Sequence, residues 1–329
     1  MQRFLKIPFI RLSFYHRKIT RLKIVIALGG NALRKKGEGF DFETHYENAY
    51  LTFLNLFDAG IFSPENKVCI THGNGPQVGM EFMRNFLCKD KFPIYPLDSL
   101  TASTQGWIGY IFERALRKIF KEKGIDREVS TLITLVEVDK NDPSLKDPTK
   151  PIGDFLTEED AKELSIMTGL PVKMDSGRGW RFVVGSPEPL RILNSNIINS
   201  LLEAGNVVIA VGGGGIPVDK DLSGISAVID KDLASSLLAK EIGADIFIIL
   251  TEVPEVYINF GKPNQKPLYN ATVSELKDYL EDGHFAPGSM EPKIRAVIRF
   301  LESGGKEALI TSPEYLKEAL LGRRGTRIK

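Results

Sequence analysis

The sequence has 329 residues, 43% hydrophobic and 26% charged, enough for one large α/β unit with an insertion or about two domains. Lys plus Arg number 43 against 42 Asp plus Glu, and a formal charge of +1 gives no whole-molecule attraction to nucleic acid. The two cysteines, Cys69 and Cys88, share no close-spaced motif, which excludes a disulfide framework and a cysteine-type zinc site and fits a reducing compartment.

Residues 1–22 read as a basic extension, rich in Arg and Lys and free of acids. Its longest apolar stretch, Ile7–Ile10, is too short for a secretory core or a membrane span. A solvated tail, an over-long gene model, an organelle presequence and a membrane-surface segment remain open readings. Lys23–Leu28 is then a buried strand that runs into Gly29-Gly30. The period predicts a helix over His45–Ala59, a second buried strand over Asn66–Thr71, and a loop at Gly73-Asn74-Gly75, with Pro76 opening the next helix. A long helix is expected over Ser103–Lys123, closed by Gly124. Further buried strands fall at Thr131–Val136, Asn206–Val211, Asp245–Leu250 and Glu307–Thr311. Helices over Asp230–Ile242, Ser274–Asp282, Ser289–Ser303 and Pro313–Leu321 alternate with the later strands. Apolar strands without polar alternation, separated by helices, point to a mostly parallel sheet covered on both faces. The proline-rich stretch 139–189, with one helix over Thr157–Met167 and a strand over Trp180–Val184, breaks this rhythm and reads as an inserted, protruding lobe of a domain spanning 23–329. No apolar run approaches transmembrane length, so a soluble protein is expected.

Ligands of open parallel sheets bind beyond the carboxyl ends of the strands. Three buried runs here end in glycine clusters: Gly29-Gly30-Asn31, Gly73-Asn74-Gly75 and Gly212–Gly215. Glycine lets backbone N–H groups approach an anion closely, so three such turns point to a substrate with several anionic groups. There is no P-loop pattern, and Gly73–Gly79 is one residue too long for a dinucleotide fingerprint. Lys231 and Lys293 both sit near the positive end of an expected helix, opposed to the dipole. An anion shared with the glycine turns explains both; solvated lysines do so one at a time. Lys140, at the root of the insertion, is a third candidate. The four histidines form no H-x-x-x-H pair, and His72 is either a general base or a structural hydrogen-bonding residue. Asp175–Arg181 is either a lid bringing arginines to phosphate or a tight turn before a strand.

Taken in order, Gly29–Leu33, Thr71–Gly79, Gln105–Tyr110, Gly212–Val218, Ala227–Asp232 and Gly288–Lys293 resemble carbamate kinase, of the amino acid kinase superfamily. Within the lobe, Val138–Pro143, Pro148–Gly153 and Asp175–Arg181 match as well. The resemblance implies a three-layer α/β/α sandwich with a mostly parallel central sheet, a small protruding subdomain, and a cytoplasmic homodimer with neither nucleic acid nor membrane as partner. It implies Mg²⁺-dependent, reversible phosphoryl transfer between ATP and carbamate, giving ADP and carbamoyl phosphate, in the breakdown of arginine or purine derivatives. On the matching positions, Gly30, Asn31, Gly73, Asn74, Gly75, Gly213 and Gly214 would hold the carbamate or carbamoyl phosphate. Lys140, Lys231 and Lys293 would neutralise the migrating phosphoryl group, with Asp232 organising the lysines. Thr251, Tyr257 and Phe260, with Lys293, would border the nucleotide, and Mg²⁺ would be held through phosphates with no protein cage. The sequence departs from the pattern at Ser99, Thr101, Glu252, Pro254 and Glu291, which bears on nucleotide affinity and acceptor choice. Two alternatives stand beside this reading: a kinase of another small carboxylate or phosphate acceptor on the same fold, and a non-catalytic metabolite sensor.

Overall fold

The computed structural model describes residues 21–35, 37–175 and 179–329, so most of the basic extension and Ser176–Arg178 of the expected lid lie outside the described residues. Eight strands form the main sheet, in the order Asn270–Ala271, Thr326–Ile328, Glu307–Thr311, Ile246–Leu250, Lys23–Leu28, Lys67–His72, Val207–Ile209, Val129–Thr131. All neighbours run parallel except Thr326–Ile328 against Glu307–Thr311. Lys23–Leu28 lies inside the sheet, and its alternate residues feed two separate cores. Val25 and Ala27 pack with the helices Lys231–Glu241 and Met290–Glu302 on one face. Ile24, Ile26 and Leu28 pack with Phe42–Asp58 and Leu97–Lys123 on the other. That double burial is why the strand reads as an unbroken apolar run, and it makes the three layers.

Two expected elements differ. Thr131–Val136 is not one strand: Val129–Thr131 edges the main sheet, whereas Leu135–Val138 joins Ile216–Val218 and Pro189–Ile192 in a second sheet. The break is held by the Gln105 side chain, which accepts from Thr134 N at 2.9 Å and donates to Thr134 O at 3.3 Å, so the backbone leaves the ladder without losing its partners. The long helix starts at Leu97, six residues before the expected Ser103, behind the extended backbone of Pro96. Leu97, Leu100, Thr101 and Thr104 supply a buried face that the polar run Ser99–Ser103 conceals. The helix Ser195–Glu203, with Ile198 and Leu202 buried on one face, and the strand Thr326–Ile328 add to the expected elements.

Within the insertion, Lys150–Leu156, Trp180–Val184 and Val172–Met174 form an antiparallel sheet backed by the helix Glu158–Thr168. Ile152, Phe182 and Val184 pack with Val78, Leu97 and Leu100, so the lobe shares a small core with the body beneath it. The helix Gly75–Leu87 makes this junction at Gly79, where a β-carbon would lie 2.1 Å from Gly153 N. The approach requires glycine at 79, whereas Gly153 is required by its left-handed backbone (φ 75°), a β-carbon there standing an ordinary 3.8 Å from Gly79. No helix among the described residues is long and apolar enough to cross a membrane.

Candidate active site

A pocket of about 170 Å³ opens where Lys67–His72, the Gly212–Gly214 turn and the helix Lys231–Glu241 meet under the lobe strand Lys150–Leu156. Gly73, Asn74 and Gly75 form one wall, at the start of the helix Gly75–Leu87. Its free N–H groups and positive dipole end favour an anion. Gly213 faces Asn74 in a left-handed conformation (φ 66°), and a β-carbon there would stand 2.4 Å from Asn74 Cγ. Glycine is therefore required by conformation and by space. Asn74 is fixed from behind: its Nδ2 donates to Thr104 Oγ1 at 2.8 Å, and that hydroxyl donates to Thr101 O at 2.8 Å.

The charged floor is built on Asp230-Lys231-Asp232. Asp230 caps the helix Lys231–Glu241, one oxygen accepting from Asp232 N at 2.9 Å and Leu233 N at 3.2 Å. Its other oxygen accepts from Lys150 Nζ at 2.5 Å. Burial alone would raise the Asp230 pKa, but the ammonium groups of Lys150, Lys231 and Lys293 outweigh it and hold the carboxyl below its usual range. Asp232, 2% exposed, pairs with Lys231 through one oxygen and with Lys293 at 3.2 Å through the other. Lys293 also donates to Ser289 O at 3.1 Å. The two lysines differ electrostatically. Burial lowers the Lys231 pKa, Asp232 opposes that shift, and the Lys293 charge adds to it. Burial also disfavours charge on Lys293, but Asp232, Asp230 and Glu252 carry its pKa above the usual value.

Of the residues expected from sequence, Gly73, Asn74, Gly75, Gly213, Lys231, Asp232 and Lys293 share this pocket. Lys140 does not. It is exposed on the turn after Leu135–Val138, and Lys150, the first residue of the lobe strand, holds the place expected of it. The signal lay in Lys150-Pro151-Ile152-Gly153, where a strand must pass close to Gly79 and so brings its first lysine over the pocket. Gly30 and Gly214 are outside the lining: Gly30–Ala32 is a short turn beyond Leu28, and Gly214 packs against Ile229; the side chain of Asn31 lies outside what the structure describes. Thr251, Tyr257 and Phe260 lie on the connection after Ile246–Leu250, also outside the lining. Thr251 N donates to Thr311 O at 2.8 Å, Tyr257 donates to Glu255 at 3.0 Å, and Phe260 is 64% exposed.

Arg181 lines the pocket and donates to Gly153 O at 3.1 and 2.8 Å and to Asp175 at 3.0 Å. His72 is 2% exposed, its Nδ1 lies 3.0 Å from Gly73 O, and its ring meets Phe112 edge-on. Burial, with the nearby Lys231 charge, lowers its pKa to about 4, which favours the structural role over general-base chemistry. A second cavity of about 190 Å³ lies at the sheet edge, but its Arg324 and Arg327 are tied to Glu255 and Glu307. Chemically, the first pocket can hold a phosphoryl group between lysines and backbone amides, with no base required.

Residues 23–312 match the amino acid kinase family. The carbamate kinase of Thermococcus kodakarensis is 46% identical over 311 residues, covering 93% of this chain and 98% of that protein. Among solved structures, carbamate kinase from Giardia lamblia bound to citric acid superposes with a TM-score of 0.89 at 39% identity, over 94% of this chain and 99% of that one. The same enzyme bound to AMP-PNP superposes with a TM-score of 0.84 at 40% identity, over 94% and 99%. The chain belongs to the amino acid kinase family, among its carbamate kinases.

Proposed function

We propose that the protein catalyses reversible phosphoryl transfer between carbamoyl phosphate and ADP, giving carbamate and ATP. The observation that carries this reading is the convergence of Lys150, Lys231 and Lys293 on two carboxylates, beside the Gly73–Gly75 backbone. Phosphoryl transfer asks the protein mainly to align donor and acceptor and to neutralise the equatorial oxygens. Three ammonium groups against Asp230 and Asp232 leave positive charge for that purpose. In the ATP-forming direction the nucleophile is a phosphate oxygen of ADP, and in reverse it is the carbamate oxyanion. Neither needs a general base, which agrees with a buried His72 of low pKa.

The acids of the pocket are already engaged by lysines, and no group of three His, Cys, Asp or Glu among the described residues could hold a metal. This donor set fits Mg²⁺ carried on the nucleotide's phosphates, where it neutralises charge and keeps waters as ligands. The AMP-PNP complex of the Giardia relative supports ADP and ATP as nucleotides. Thr251, Tyr257 and Phe260 are retained as the nucleotide border, and Gly30, Asn31 and Gly214 as support for the acyl side. The same reading includes a cytoplasmic homodimer acting on small molecules, without nucleic acid or membrane partners, in arginine breakdown. It rests on the family resemblance, and light scattering of the purified protein tests the dimer.

Incubation with ADP, Mg²⁺ and carbamoyl phosphate, with ATP read by luminescence, tests the activity. ATP formation from carbamoyl phosphate and not from acetyl phosphate is the expected outcome. ATP from acetyl phosphate alone favours the other-acceptor kinase, and nucleotide binding without turnover favours the sensor.

A further inference from the structure

Among the described residues three ion pairs join the stretch 139–189 to the body of the molecule, one of them, Arg299 with Glu188 at 2.6 Å, at its C-terminal root. Lys150 with Asp230 lies in the pocket. The third joins Arg34, on the loop leading from the Gly30–Ala32 turn, to Asp154 on the lobe strand, with Nη1 and Nη2 donating to the two carboxylate oxygens at 3.2 and 3.0 Å. Neither residue lines the pocket. The fork geometry gives such a pair direction as well as charge.

Arg34 is held on its own side of the pair. Its Nε donates to Glu38 O at 2.7 Å, and its guanidinium lies 3.9 Å from the centre of the Phe40 ring. The Glu38 carboxylate accepts from Lys35 N at 2.7 Å and Asn48 Nδ2 at 2.6 Å, so the loop is braced and little side-chain entropy remains to be lost. On the lobe, Asp154 follows Gly153, whose carbonyl is gripped twice by Arg181 of the pocket wall. Contacts therefore run without interruption from the first glycine turn through Arg34, Asp154 and Gly153 to Arg181.

We infer that Arg34 and Asp154 are positioning residues, whose pair seats the lobe so that Lys150 and Arg181 reach the acyl phosphate. The inference rests on the phosphoryl-transfer reading. An entering phosphate competes with Asp230 for Lys150 and weakens the tether inside the pocket. The Arg34–Asp154 pair, outside it, keeps the lobe in place during transfer.

The test is a double-mutant cycle of Arg34→Ala and Asp154→Ala, with Arg34→Lys as the conservative variant, assayed for ATP with each substrate varied in turn. Each single change is expected to raise the KM for carbamoyl phosphate roughly three- to fivefold, the size of an exposed pair, while the KM for ADP moves less than about twofold. The double variant should match the singles and not their product, and Arg34→Lys should recover part of the loss. Thermal melts of each variant separate lost folding from lost seating. Given an active wild type, no change, equal changes in both KM values, or multiplicative singles would overturn the inference. A wild type that makes no ATP would overturn the phosphoryl-transfer reading and this inference together.

Discussion

Lys150 of the lobe donates to Asp230, the residue that caps the helix bearing Lys231, at 2.5 Å. This contact joins the lobe to the charged floor of the pocket, and it distinguishes Lys150 from Lys140. Lys150→Ala is expected to lower kcat/KM by about 10²–10³, the usual loss when one preorganised charge leaves a transition state. Lys140→Ala, an exposed change, should stay within about twofold of wild type. Steady-state ATP formation by the two variants checks both.

Asp232 opposes the loss of the Lys231 proton. The Lys231 pKa already sits below the ordinary lysine value, so activity should fall as alkaline pH strips that proton. Asp232→Asn removes an opposing charge and should move the alkaline limb of the kcat profile to lower pH. Lys231→Ala should lower turnover by about 10²–10³ with an unchanged circular-dichroism spectrum.

His72 makes stability depend on acid. Folded, it takes a proton only near pH 4; unfolded, near 6.5. Between those values the unfolded chain binds more protons, so stability is complete above pH 6.5 and declines as pH falls toward 4. The full loss is on the order of 3 kcal/mol from this group. Urea midpoints measured from pH 7 to 4 should fall less steeply for His72→Gln than for wild type.

Gly79→Ala would press a methyl group into the Gly153 backbone. The junction should open, at about 1–3 kcal/mol of stability by the usual overpacking penalty. Because Lys150 and Arg181 ride on that side, KM for carbamoyl phosphate should rise as Tm falls. Calorimetry and kinetics on one preparation read both.

Much of this arrangement was legible in the residues. Lys231 and Lys293 stood out because each opposes a helix dipole, a local inconsistency that an anion resolves. The glycine turns stood out because strands end in them. Lys150 was concealed because it opens a strand, where no dipole contradicts it, and only the Gly79–Gly153 approach brings it over the pocket. The start of the long helix was concealed by Ser99–Ser103, whose polarity hides that Thr101 and Thr104 face inward, Thr104 to hold Asn74. The split after Thr131 is held by distant side chains, Gln105 at Thr134 and Asn194 at Leu135, and pairing of that kind leaves no periodic trace.

The position of Lys23–Leu28 inside the main sheet governs how the protein is assembled. One of its neighbours is the strand Ile246–Leu250, and the Lys23 amide reaches Asp245 across a separation of 222 residues. During synthesis on the ribosome this segment should therefore lack one sheet neighbour until most of the chain has emerged, leaving an apolar edge open meanwhile. Refolding from denaturant should accordingly be slow, and yield in overexpression should rise with chaperone supply more than with temperature.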